Sequence, residues 1–418
     1  MTQRRLVLAE YHLTGEEAVI FFASAGHPQP DIIRVPFRYA ELRELVTVLV
    51  GALDVAHVDD HALRTVDAVL EAPVLGRLIE PVLGRLDDDD DVYVVPHGLL
   101  HRLPLNAVRV SDGERLVDRH PVVYSPSASV LRYCRANRRT DRRTAVVVGD
   151  SSSGSALTFA DAQAHQITQL FTTEVLSGPA ASHAGLRKRF AAGSRPPALL
   201  HVNAHGVFDA AHPMRSGLEL PGGRLTAQEM LELDLTGTFV TLAACSSGAS
   251  ATHPGDELLG LVRSLFYAGA PAMLATLWTV DELATAMMLG EFYRLLAEGT
   301  PAVAALWRSQ RRLGECTAED VITYIKTVQA GQPATSAAAV RLGTTLAHVL
   351  LTAGEYDAAA RAADAVTSTA DADCRRAAAR LARDARLLSR TARPADRERR
   401  LYNHPFFWAP FLLIGDWY

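Results

Sequence analysis

Between residues 92 and 277 the chain repeats one alternation: a short, uninterrupted, β-branched apolar run, then a stretch with helical periodicity. The runs cover residues 92–95, 145–149, 198–202, 238–242 and 272–277. A strand wetted on one face alternates polar with apolar residues. A run that is apolar throughout is covered on both faces, as in a parallel sheet with helices on either side. Helical patterns fit the intervals at 160–171, 184–190, 226–233 and 257–268, and two more follow the last run at 283–297 and 301–313. The last of these opens on Thr300 as N-cap and Pro301 at the first helical position. The pattern predicts an α/β fold: a doubly wound, mostly parallel sheet flanked by helices. Functional residues are then expected at the C-terminal ends of its strands.

The flanking parts read differently. Residues 5–37 hold two or three strands, two of them separated by the turn signal Thr14-Gly15-Glu16. Helical periodicity follows at 40–53 and 66–86. The acidic run at 87–91 reads as a solvated loop before a strand, with a metal site as the weaker alternative. Residues 317–400 are rich in alanine and arginine, poor in β-branched runs and interrupted at Gly331 and Gly354. Two to four helices are expected there, inserted before a closing apolar segment at 404–415 that returns to the core as a last strand. The domain reading is therefore an N-terminal hairpin and helix (1–60), an α/β core (61–316), an all-helical insertion (317–400) and a C-terminal strand (401–418). Gly354-Glu-Tyr-Asp-Ala-Ala-Ala-Arg361 resembles one half of a tetratricopeptide hairpin, although no period of about 34 residues occurs elsewhere.

Composition excludes several classes. A formal net charge of −5 over 418 residues gives no reason to expect a nucleic-acid or anionic-membrane partner. The longest apolar run, residues 268–280, contains Pro271 and falls short of the ~18 residues of a membrane span. The N-terminal apolar stretch is broken at Glu10, too early for an export signal. Cys134, Cys245, Cys316 and Cys374 form no CxxC pair. A reducing, cytoplasmic setting is the expectation.

One cysteine stands out. Cys245 sits in Leu242-Ala-Ala-Cys-Ser-Ser-Gly248, directly after a predicted strand, among residues too small to bury its sulfur. The run at 198–202 ends just before His205-Gly206, read as the matching loop of a second strand. Adjacent strands lie ~4.8 Å apart, so two such loops can bring an imidazole to a thiol and lower the thiol pKa from about 8.5. The amides of Gly206 and Cys245 could form an oxyanion hole, worth ~3 kcal/mol per donor. A buried cysteine with a structural histidine is the competing interpretation. Ser246 and Ser247 read as turn residues or weak nucleophiles. The pairs His201/His205 and His97/His101 share a four-residue spacing, but lack the helix and glutamate of HExxH, so satisfied or surface histidine is favoured over zinc. No GxGxxG, GxxxxGK[ST] or GxSxG occurs.

The same residues carry a resemblance. His205-Gly-Val-Phe208 together with Leu242–Gly248 resembles the CHAT family, caspase-like cysteine peptidases related to separases. Residues 255–263 and 267–281 resemble the family's segment after the cysteine, 95–104 and 124–130 its N-terminal half, and 404–415 its closing strand. The resemblance implies a caspase-like fold, His205 as general acid/base, Cys245 as nucleophile, and peptide-bond hydrolysis through a thioester with no metal or organic cofactor. It implies a peptide or protein substrate, activation by a partner or ligand, and a place in a bacterial signalling or defence system. In separase-like relatives an acidic residue just after the Trp holds a basic P1 side chain. Here Trp278-Thr-Val-Asp-Glu282 offers Asp281 and Glu282, which could equally cap the following helix. The helices at 317–400 are expected to dock a regulatory protein. The alternative function is a catalytically silent interaction module. Hydrolysis or transfer of a non-peptide acyl group by the same dyad is a third reading.

Overall fold

The computed structural model describes residues 5–53, 59–149, 158–207, 209, 212–243, 256–333, 336–366, 372–391 and 394–416. Two compact units emerge, Met1–Gln310 with Pro405–Tyr418, and Arg311–His404.

In the first unit the strands are β1 (Arg5–Leu13), β2 (Glu17–Ser24), β3 (Asp31–Pro36), β4 (Asp90–Val95), β5 (Val122–Tyr124), β6 (Thr144–Gly149) and β7 (Thr172–Leu176). They continue with β8 (Leu199–Asn203), β9 (His205–Val207), β10 (Gly217–Leu220), β11 (Gly223–Thr226), β12 (Phe239–Leu242), β13 (Ala272–Thr276) and β14 (Phe411–Gly415). Among the described residues, 11 strands form one sheet in the order β3-β2-β1-β4-β5-β14-β13-β12-β8-β6-β7, and the remaining three form a small sheet ordered β11-β10-β9. The expected mostly parallel α/β sheet flanked by helices is therefore present, with an antiparallel hairpin at its N-terminal edge.

The large sheet contains two parallel blocks of opposite sense. Strands β1, β4, β5 and β14 run one way. Strands β13, β12, β8, β6 and β7 run the other way, and the blocks meet where β14 pairs antiparallel with β13. The last strand is thus no appendage. All five of its residues are buried, and it seals the seam between the blocks. In the second block β6 is flanked by β7 on one side and by β8, β12 and β13 in turn on the other. That is a doubly wound order with its switch point between β6 and β8, the place where such sheets bind ligands beyond the strand C-termini.

The core strands β4, β8 and β12 are buried along their whole length, as expected of mostly apolar strands covered on both faces. Three expectations are corrected. The single helix at 66–86 is two helices, Asp60–Leu70 and Pro73–Leu83, because Pro73 lacks the amide needed to continue a helix and instead opens the second one. The helix at 226–233 is one turn, Ala227–Met230, because β11 takes Gly223–Thr226. The acidic run is not all loop. Asp90 and Asp91 begin β4 and are buried. Asp90 accepts from Arg5 Nε at 2.8 Å, from Arg5 Nη2 at 2.7 Å and from the Asp87 amide at 2.9 Å. Burial alone would push that carboxyl up, but these bonds and the guanidinium charge hold it below its ordinary value.

The second unit contains helices Ala318–Ala330, Ala337–Thr352, Tyr356–Val366 and Ala372–Leu388. Their contact stripe is small: Ala347, Ala363, Ala378 and Ala382 form a buried cluster with Val366. Gly354 turns between the second and third helices at φ +77, a conformation that costs glycine little. Among the described residues no helix is long and apolar enough to cross a membrane.

Candidate active site

The C-terminal edge of the second block carries the candidate residues. Strands β8 and β12 are parallel neighbours with Leu199, Leu200, His201 and Val202 beside Phe239, Val240, Thr241 and Leu242. The pairing persists one residue further, where the Ala243 amide donates to the Val202 carbonyl at 3.1 Å. Cys245, Ser246 and Ser247 lie outside the described residues. His205 and Gly206 do not sit in an open loop as expected. They form β9, which pairs antiparallel with β10 so that His205 faces Glu219 and Gly206 faces Leu218. The chain leaves the large sheet after Asn203 and enters the small sheet within two residues, which fixes the backbone on both sides of the imidazole. The His205 ring is half-buried, Gly206 is buried, and His205 Nδ1 is buried without a hydrogen-bond partner.

The stretch after His205 is tied to the helix that follows the cysteine segment. Gly260 in Asp256–Tyr267 lies so close to the turn at Pro213 that an added Cβ would sit 3.3 Å from the Pro213 carbonyl oxygen. A residue without a Cβ permits this approach. The Asp209 amide donates to Ser216 Oγ at 2.9 Å, and Ser216 is fully buried.

Asp281 and Glu282 stand at the start of the helix Glu282–Ala297, beyond the C-terminal end of β13. Asp281 is the N-cap, its Oδ1 accepting from the Ala284 amide at 2.7 Å. Glu282 Oε1 accepts from the Phe159 amide at 2.7 Å, tying this helix to the one that begins at Ala160 after β6. Both side chains are half-buried. Trp278 is buried, donates from Nε1 to the Phe406 carbonyl at 3.1 Å and lies tilted at 35° against the Phe406 ring.

The two histidine pairs lie at opposite edges of the sheet, because β4 and β8 belong to blocks of opposite sense. His97 Nδ1 accepts from the Leu13 amide at 3.2 Å, and burial lowers its pKa, followed by the nearby His12. His201 is buried within β8, bonded through Nδ1 to the Tyr293 hydroxyl at 2.9 Å. Burial pushes its pKa down to about 4. Among the described residues, no group of three His, Cys, Asp or Glu side chains is arranged to hold a metal ion.

Sequence reasoning missed two polar residues here. Asn203 is buried at the end of β8 with Nδ2 unpartnered. Tyr293 lies on the helix Glu282–Ala297, with its hydroxyl in the β8–β12 interface. A hydrophobic helical face that includes a tyrosine carries no linear signal of what the hydroxyl meets.

Tetratricopeptide repeat protein 28 of Mus musculus is 33% identical over 108 residues, 25% of this chain and 4% of that protein. The Homo sapiens protein of the same name is 33% identical over 87 residues, 21% of this chain and 4% of its own length. The chain thus spans a small fraction of the curated relatives it matches. The crystal structure of the Arg-specific cysteine proteinase gingipain R (RgpB) aligns with a TM-score of 0.39 at 11% identity, covering 65% of this chain and 70% of that one. That score is too low to carry a residue equivalence. The family model for the CHAT domain matches residues 61–416, from the helix Asp60–Leu70 through the sealing strand β14. With that match spanning most of its length, the chain belongs to the CHAT domain family.

Proposed function

We propose that the chain is a cysteine endopeptidase of the CHAT, caspase-like type, with Cys245 as nucleophile and His205 as general acid/base. The observation that carries this reading is the β8–β12 register. Val202 and Leu242 are partners, and His205 and Cys245 each follow their partner by three residues. Three residues reach ~10 Å when extended, ample for two chains leaving strands ~4.8 Å apart to converge. Strand β8 borders the switch point of the second block, and the half-buried His205 ring has its Nδ1 unpartnered.

In the proposed reaction the Cys245 thiolate attacks a peptide carbonyl, and the Gly206 and Cys245 amides hold the oxyanion. His205 protonates the departing amine, leaving a thioester. It then takes a proton from the water that hydrolyses the thioester. Asp281 or Glu282 forms the acidic side of an S1 pocket that favours Arg or Lys. Family membership and the His205–Cys245 pair support these roles, and neither requires a metal or organic cofactor.

The helices at 317–400 are proposed to dock a regulatory protein partner; the match to tetratricopeptide repeat proteins favours a protein-interaction role for the chain without assigning it to these helices. The proposed setting is cytoplasmic, in a bacterial signalling or defence system. That match is also what favours the second reading, a silent interaction module. The test is to incubate the chain with a proteome of its host and sequence new protein N-termini. The peptidase reading requires cleavage products that vanish with Cys245→Ala. Complexes formed equally by both proteins without any new N-termini would favour the silent module.

A further inference from the structure

Strands β8 and β12 share a buried polar contact on their side chains. His201 on β8 and Thr241 on β12 are register partners. Each stands four residues upstream of a proposed catalytic residue, His205 and Cys245 respectively. Between them lies the hydroxyl of Tyr293, which donates to Thr241 Oγ1 at 2.7 Å and stands 2.9 Å from His201 Nδ1. All three residues are buried. Burial keeps His201 neutral, so its ring has one proton to give. The Tyr293 hydroxyl spends its own proton on Thr241, so it accepts from His201 Nδ1–H. The chain of donors runs from His201 to Tyr293 to Thr241. Edge-on contacts with His201, Phe292 and Phe171 hold the Tyr293 ring in place.

The backbone ladder between β8 and β12 sets their register. A hydroxyl bonded to one side chain from each strand adds a second tie to that offset, since sliding either strand also breaks a bond in a place water does not reach. The offset between β8 and β12 sets the spacing of the two chain segments that leave them. A misplacement of about 1 Å between reacting groups can cost on the order of 100-fold in rate.

We infer that Tyr293 is a positioning residue of the proposed dyad, holding β8 and β12 at the offset that lets His205 activate Cys245. The inference rests on the peptidase reading, and its test separates the two. The full-length protein is alkylated with iodoacetamide from pH 5 to 9, and Cys245 labelling is followed by peptide mass spectrometry. In the unaltered protein the labelling rate inflects below the ordinary thiol value. His205→Ala moves the inflection up to that value. Tyr293→Phe moves it up by about 1, so that labelling at pH 6 falls roughly tenfold. Thr241→Val removes the acceptor while keeping a β-branched side chain, and shifts the profile the same way should Tyr293→Phe fold poorly. Ile79→Val, a buried truncation in the helix Pro73–Leu83, serves as the stability control and leaves the inflection in place. An unmoved profile in His205→Ala would remove the dyad reading and this inference with it. A profile that moves in His205→Ala but not in Tyr293→Phe or Thr241→Val overturns the positioning role alone, as does an equal shift in Ile79→Val.

Discussion

Replacing Asp281 and Glu282 separates two jobs assigned to the same residues. Asp281 Oδ1 caps the helix Glu282–Ala297 through the Ala284 amide at 2.7 Å. Removing a cap costs ~1 kcal/mol, whereas Asn caps about as well as Asp. Asp281→Ala should therefore lower stability by about 1 kcal/mol, and Asp281→Asn should change it by a few tenths. Glu282→Gln keeps an acceptor for the Phe159 amide and should be similarly mild. Specificity follows charge instead of capping. A carboxylate ~4 Å from a basic P1 side chain is worth at most about 4 kcal/mol at an effective dielectric of 20. Water at these half-buried positions leaves on the order of 2 kcal/mol, a preference of roughly 30-fold. The assay pairs urea denaturation with kcat/KM on peptides differing only in Arg, Gln or Leu at P1. Asp281→Asn or Glu282→Gln should erase the preference for Arg with little loss of stability. If both charge-neutral variants keep the preference, or the unaltered protein has none, the S1 assignment is wrong and these residues serve the helix alone.

Other outcomes follow from the geometry. Asp90→Asn, which leaves the Arg5 guanidinium without its buried partner, should cost about 2 kcal/mol at pH 7 by urea denaturation. Because the folded Asp90 carboxyl titrates below its unfolded value, that difference should be complete above about pH 4 and vanish as the pH falls through the lower folded value. Cys134, whose thiol burial pushes up to about 12, should resist iodoacetamide at neutral pH in the folded protein. Phe411→Ala in the seam strand β14 should cost ~3–5 kcal/mol, measured as a fall in the urea midpoint, since its ring is fully buried.

Legibility in the sequence tracked burial. The strands at 92–95, 145–149, 198–202, 238–242 and 272–277 were readable because each is largely covered on both faces and so is mostly apolar, with His201 and Thr241 as buried polar exceptions. The return of the final segment was readable for the same reason. Strand β5 has three residues, too few to show a period, and β7 lies at the sheet's edge with Glu174 exposed, so it has no apolar run. The small sheet β9-β10-β11 consists of strands of three and four residues around the Gly222-Gly223 turn. Its pairing is decided by tertiary contact, and that is why His205 and Gly206 read as loop. At the site, residue types and their order were legible, since small residues around a cysteine leave a linear trace. The Tyr293 hydroxyl between two strands and the Asn203 amide left at the end of β8 arise only once distant segments meet.

The most direct test of the account is the rate at which iodoacetamide labels Cys245 at pH 7, measured in the unaltered protein and in His205→Ala, with half-buried Cys374 as the reference thiol in each sample. An activated thiol should label at least about tenfold faster than Cys374 and lose that advantage when the imidazole is removed. Equal rates for the two cysteines, or an advantage indifferent to His205, would contradict it.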